Sequence, residues 1–299
     1  MVECGVNGSQ AVGWDGWIYQ VLSIPSPPGM LVVIPKYEPC KGPSPWRRPG
    51  SNYCRVTSSY GPLGVELGIS RWGRARFDPV YSTLMPYLEE SEVRECIDPR
   101  RGLEEAIARG DYDVVRLLEA LEAEGIRVSQ LGLTGSHALG IAHGESDVDL
   151  VIYEGHDIVY RLFAARSTGP VDANLGGVRV SDADFSWRKG VIAGVRATWV
   201  PAGHRCPPLR HYHLIPQPTG KARLALTVPP GQDPALGYPP CALSEEGVWI
   251  VSFEFNLAGI LYSGGRLEVD GLISVDGRIV YVGVREYPGS LLASGGEVD

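Results

Sequence analysis

The hydrophobic positions of this chain change rhythm along its length. Near the start, two apolar runs, 17–22 and 30–34, flank Ser26-Pro27-Pro28-Gly29. The prolines and glycine force a turn there, so residues 14–37 predict a β hairpin. From Pro39 to Phe77 no period holds. Proline, glycine, arginine and aromatic residues dominate, as in Trp46-Arg47-Arg48 and Arg71-Trp72-Gly73-Arg74-Ala75-Arg76, and the segment reads as irregular loops. Helical spacing then takes over. Asp98-Pro99 offers an N-cap acceptor and a proline at the first helical position, with Leu103 and Ile107 following at helical intervals. A second helix over 111–124 gathers Val114, Leu117, Leu118 and Leu121 on one face and stops at Gly125. Such a stripe is the pattern of a core-facing scaffold helix.

The centre of the chain alternates element types. The pattern predicts a strand over 130–133, a short helix from Ser136, a strand over 148–153, and a helix carrying Ile158, Val159, Leu162 and Phe163 on one side. A single strand over 190–200 follows, with Val191, Ala193, Val195, Ala197 and Trp199 alternating. Beyond the turn-rich stretch 201–212 the pattern is purely β, at 223–228, 248–255 and 267–275, the last turning at Asp276-Gly277 into 278–284. The expected architecture is α+β. An N-terminal β module with irregular Arg- and aromatic-rich loops (1–77) precedes a small mixed-sheet core (78–203), and a C-terminal β barrel or meander (204–299) closes the chain.

Composition narrows the picture. A net charge of −8 and a pI near 5.3 argue against a surface that grips nucleic acid all over through clustered lysine and arginine. The arginine- and aromatic-rich stretch before Phe77 reads either as a local stacking and phosphate-pairing surface or as loops whose arginines are solvated or ion-paired. No apolar run approaches the ~20 residues of a membrane helix, and the first residues lack the pattern of a secretory signal. A soluble, cytoplasmic protein with no membrane partner is expected. The cysteines at 4, 40, 54, 96, 206 and 241 contain no Cys-x-x-Cys pair. They are therefore expected to be free buried thiols rather than a disulfide scaffold or zinc site. Lysine occurs only at 36, 41, 189 and 221 while arginine supplies the remaining positive charge, a composition that suits a thermophile or a GC-rich genome.

The candidate chemistry lies in Leu133-Thr134-Gly135-Ser136-His137-Ala138-Leu139-Gly140 and in Glu145-Ser146-Asp147-Val148-Asp149-Leu150. Glycine at 135 lets the backbone approach an anion closely, and the amides after it, with the Ser136 hydroxyl, present donors to phosphate oxygens. Residues two apart in a strand face the same side. Asp147 and Asp149 therefore present paired carboxylates, with Val148 turned to the core. Two such carboxylates suit a divalent, oxygen-seeking ion. The plainer reading is that the Asp-x-Asp caps a turn and that the glycine-serine pair merely opens a helix.

A strand ending in Gly-Ser, a short helix, and an acidic pair spaced by one apolar residue at the start of the next strand resemble the DNA polymerase beta superfamily of nucleotidyltransferases. More broadly, the chain is similar to a group of archaeal nucleotidyltransferase-domain proteins. The resemblance implies a polymerase beta-like core and Mg2+-dependent transfer of a nucleoside monophosphate from a nucleoside triphosphate to an acceptor hydroxyl on RNA, protein or a small molecule. It implies Asp147 and Asp149 as metal ligands and catalytic groups, and Gly135, Ser136, Ser146 and Lys189 as nucleotide-binding residues. Active members carry a third carboxylate on a later strand. The strand expected to bear it reads Arg196-Ala197-Thr198-Trp199-Val200, without an acid, which leaves Asp172, Asp182 and Asp184 as candidates and Asp184 as the preferred catalytic third. The alternative is a non-catalytic nucleotide- or RNA-binding protein with a degenerate transferase domain. His204, Cys206, His211 and His213 form a further candidate metal cluster or a plain linker. His137 and His143 flank the motif, as phosphate contacts or packing residues. Arg188 and Lys189 read either as groups that neutralise triphosphate charge or as solvated basic residues before a strand.

Overall fold

The computed structural model describes residues 4–57, 61–153, 158, 162, 179–180, 189–202 and 206–293. It is a mixed α/β structure with few helices and many strands in several sheets. The first sheet contains β1 (Gln10–Gly13), β2 (Ile18–Leu22), β3 (Met30–Pro39), β4 (Arg47–Arg48) and β5 (Ser51–Arg55). After α1 (Gly61–Trp72) and the small hairpin of β6 (Arg76–Asp78) and β7 (Thr83–Met85), two more strands join it: β8 (Tyr87–Glu89) and β9 (Val93–Ile97). The sheet runs β4-β5-β3-β2-β1-β9, with β8 also paired to β3. Residues 87–97, on the far side of the expected boundary at 77, thus complete the first sheet.

The stretch read as irregular loops holds β4, β5 and α1. Strand β5 takes its register from β3, with Tyr37 opposite Arg55, a long-range pairing that local pattern cannot show. The arginines there are largely engaged within the chain. Arg71 pairs with Glu38 and Arg76 with Glu89, while Arg74 pairs with Glu92 and lies over the Trp72 ring.

The central unit begins with α2 (Pro99–Ala108), capped by Asp98 as its sequence predicts, and α3 (Tyr112–Ala123), capped by Asp111. Strand β10 (Leu131–Thr134) leads into the single turn α4 (Gly135–Ala138), and β11 (Val148–Ile152) follows. After β12 (Arg179–Val180), the stretch expected to be one strand is a hairpin of β13 (Lys189–Ile192) and β14 (Val195–Pro201). Ala193 and Gly194 adopt φ of 50° and 80°, the paired positive dihedrals of a tight hairpin turn, and alternation alone does not reveal them. The four-strand sheet is ordered β10-β11-β14-β13, with β11 and β14 parallel. One face packs Leu133, Val148, Leu150, Ala197 and Trp199 against Leu103, Leu117, Leu121 and the helical Ile158 and Leu162. Val159 and Phe163, expected beside them, lie outside the described residues. At Gly102 a Cβ would sit 2.8 Å from the Leu133 carbonyl and 2.9 Å from the Ala138 side chain, so α2 rests its backbone directly on β10 and α4.

The C-terminal unit contains β15 (Pro218–Val228), β16 (Cys241–Leu243), β17 (Trp249–Ser252), β18 (Gly265–Ser274), β19 (Ile279–Val282) and β20 (Ser290–Ala293). The hairpin expected at Asp276-Gly277 joins β18 to β19. The sheet is an open, mixed one rather than a barrel or simple meander. Its path is β12-β20-β18-β19-β17-β16 with β15 on β18, and two of its pairs, β17 with β19 and β12 with β20, are parallel.

The cysteines correct another expectation. All six are paired, as Cys4–Cys96, Cys40–Cys54 and Cys206–Cys241. Their sequence separations of 92, 14 and 35 carry no motif; each pair is brought together by strand neighbourhood or by a loop lying against the third sheet. No helix among the described residues is long and apolar enough to cross a membrane.

Candidate functional site

Strand register builds the site. Lys189 lies opposite Thr198, Thr198 opposite Asp149, and Asp149 opposite Thr134. These residues form one polar row across β13, β14, β11 and β10. Their neighbours Leu133, Val148, Leu150, Ala197 and Trp199 point into the helix-covered core, so the row occupies the other face. Asp147, two residues before Asp149, falls beside Arg196, two before Thr198, and the two form an ion pair of 3.0 Å.

That face opens on a cavity of about 710 Å³. The central sheet contributes the polar row together with Gly135, Ser136, Ser146 and Asp147. The first sheet contributes Gln10, Gln20, Ile34 and Lys36, and the loop before β4 adds Trp46. Tyr238, Phe253, Phe255 and Asn256 close the third side. The N-terminal segment is pinned to this junction: the Thr134 hydroxyl donates to the Gly8 carbonyl at 2.6 Å, and Asn7 Nδ2 donates to the Pro201 carbonyl at 3.3 Å.

Asp149 keeps one side open to the cavity while protein encloses the rest. Burial pushes its carboxyl above the usual carboxylate range, and the nearby Asp147 adds to the rise; the Thr198 hydroxyl and the charge of Lys36 oppose it. Thr198 Oγ1 donates directly to Asp149 Oδ1. On its other flank Asp149 meets Gly135, whose φ is 69° and where a Cβ would lie 2.1 Å from Asp149 Oδ2. Glycine at 135 is therefore required twice over, by backbone dihedral and by space.

The remaining candidates take definite places. Ser136 is buried and lines the cavity. Ser146 closes a turn, its Oγ accepting from the His143 amide at 3.0 Å. His143 lines the cavity edge-on to Trp46, ring centroids 5.1 Å apart. His137 faces away from the cavity: buried, it contacts Asp111 through Nδ1 at 2.9 Å and holds α4 against the start of α3. Asp172, Asp182, Asp184 and Arg188 lie outside the described residues. In the His/Cys segment Cys206 is committed to Cys241, which removes its thiolate as a ligand, and His204 is outside the described residues. Among the described residues no group of three or more His, Cys, Asp or Glu side chains gathers as a metal cage.

Sequence reading missed Lys36, Gln10, Gln20, Thr198 and Arg196 as site residues. Lys36 had a faint signal, a lone cation directly after an apolar strand, where it is 7% exposed. The glutamines had none, because the first sheet's approach to the Asp-x-Asp strand is a tertiary event.

Asp147 and Asp149 are the residues that could hold a divalent ion, Asp147 by exchanging its ion pair with Arg196. Both carboxylates are hard oxygen donors, and the rise that enclosure imposes on the Asp149 carboxyl is one that a nearby cation would oppose. Magnesium is commonly held by one or two carboxylates, the remaining positions falling to water and substrate phosphates. Comparison with protein-family models, curated proteins and solved structures returns no match.

Proposed function

We propose that this cavity binds a nucleoside triphosphate with Mg2+ and transfers its nucleoside monophosphate to an acceptor hydroxyl, on a polymerase beta-like core. The observation that carries the reading is the contact of the Gly135–Ser136 turn with Asp149 at the cavity wall, an arrangement that supports pairing backbone donors for an anion with a carboxylate for a cation. Asp147 and Asp149 would hold the ion, which supplies charge neutralisation and orientation of the phosphates. The Gly135 and Ser136 amides, the Ser136 hydroxyl and Lys189 bind and align the triphosphate tail. In the transfer, the acceptor oxygen bonds to the α-phosphorus, the α–β anhydride bond breaks, pyrophosphate leaves with the electron pair, and the hydroxyl proton passes to water. The acceptor's class, among RNA, protein and small molecules, is an outcome of the test.

A second reading has its own observation. Thr198 stands opposite Asp149 on the parallel neighbour strand, where a third carboxylate would complete the acidic set, and it favours a nucleotide binder without transfer. Calorimetry with ATP, GTP, CTP and UTP, with and without magnesium, followed by transfer of an α-32P label to RNA, protein or small-molecule fractions, separates the two. We expect magnesium-dependent binding of at least one triphosphate and a labelled acceptor. Binding without labelling supports the binder; binding of no triphosphate overturns both.

A further inference from the structure

The first sheet turns a second polar row toward the same cavity. Gln10 on β1 lies directly opposite Gln20 on β2, and Gln20 opposite Ile34 on β3. Gln10 is 2% exposed, and its Oε1 has no hydrogen-bond partner among the described residues. A buried amide oxygen left unpaired loses its hydration without a replacement partner, so a sheet gains nothing structural from keeping it. Gln10 is also well placed for a ligand, two residues beyond Gly8, whose carbonyl is tied to Thr134 just before the Gly135 turn.

We infer that the Gln10–Gln20 row is the nucleobase-recognition subsite of this cavity. The inference rests on the triphosphate reading above and adds to it which part of the nucleotide the N-terminal module contacts. A carboxamide offers an acceptor and a donor side by side, which matches the adjacent donor and acceptor on a nucleobase edge. A polyphosphate offers acceptors only and leaves Gln10 Oε1 unpaired. Trp46 on one side of the cavity and the Tyr238–Phe255 pair, with centroids 5.3 Å apart, on another supply the flat apolar surface that a base requires for stacking. The charged row of the central sheet is left for the phosphates. Nucleotide recognition is thereby divided between two sheets.

The test is isothermal titration in magnesium buffer with three kinds of probe: the four nucleoside triphosphates, ribose 5-triphosphate, and inorganic tripolyphosphate. Wild-type protein should bind its preferred nucleotide at least about tenfold more tightly than either base-free probe. Gln10→Leu should erase most of that preference while raising thermal stability, since the unpaired oxygen is gone; Gln20→Leu gives a second, independent reading of the same preference. Equal binding of nucleotide, ribose triphosphate and tripolyphosphate by wild type overturns the base subsite and leaves the triphosphate site standing. A preference that survives in both variants also overturns it. If none of the probes binds, the triphosphate reading fails and the subsite fails with it.

Discussion

Asp149 is the residue on which the candidate site turns, and its surroundings set a sign for its pH behaviour. Its pKa is raised in the folded protein, so between the ordinary carboxylate range and that raised value the folded state holds a proton that the unfolded state has released. Stability therefore falls as pH rises through that window. Asp149→Asn removes the titrating group. In metal-free buffer near pH 8 it should be more stable than wild type by about 1–3 kcal/mol, with a flatter stability–pH profile, and under the proposed magnesium site it should gain no stability on adding magnesium whereas wild type should. Denaturant melts across pH 5–9 with and without magnesium check this. A less stable Asp149→Asn variant would assign the carboxylate a structural role instead.

At the scale of elements, Asp111 links a helix cap to the motif. Its carboxylate accepts from the Val114 amide to start α3 and contacts His137 Nδ1 in α4, one residue past Ser136. Burial works to raise the Asp111 pKa, but the hydrogen bond and charge of His137 outweigh it and hold the group below its usual 3.8. The stability from this lowered pKa is present above the ordinary carboxylate range and is lost as pH falls through the depressed value. Asp111→Ala should cost about 1 kcal/mol for the cap and a further 1–3 kcal/mol for leaving His137 Nδ1 buried without a partner. Asp111→Asn keeps the cap and should cost less, with its deficit against wild type shrinking as pH falls below the carboxylate range. Chemical denaturation of the two variants at pH 7 and at acid pH measures both.

For the whole molecule, the disulfides tie the chain within and between its sheets. Cys4–Cys96 fastens the N-terminal segment to the end of β9, just before α2, and so steadies residues 7–10 where they meet the cavity. Cys40–Cys54 staples β3 to β5, and Cys206–Cys241 joins the segment after β14 to β16. Bridges occur in oxidising compartments and also inside hyperthermophiles. Mass spectrometry of alkylated, unreduced protein should find no modified cysteine. Full reduction should lower stability by about 2–4 kcal/mol for each bridge, and a Cys4→Ser/Cys96→Ser variant should weaken the proposed nucleotide binding more than removal of either other bridge.

Sequence alone determined what short-range physics decides. The cap at Asp98, the stripe of Val114, Leu117, Leu118 and Leu121, the turn at Asp276-Gly277 and the side alternation of Asp147, Val148 and Asp149 are all set by neighbours within a few residues, and each appears where its spacing places it. The break at Ala193-Gly194 escaped because alternation continues in register across a two-residue turn. Tertiary structure decided the rest. Cysteine pairing, the recruitment of residues 87–97 into the first sheet and the parallel pairs of the third depend on contacts across tens to hundreds of residues. So does the site: the polar row Lys189–Thr198–Asp149–Thr134 exists only once strands are in register, and Gln10, Gln20 and Lys36 join it only when a separate sheet closes over that face. The sequence pattern encodes which side of a strand a residue faces, but what lies across from that side is fixed by packing.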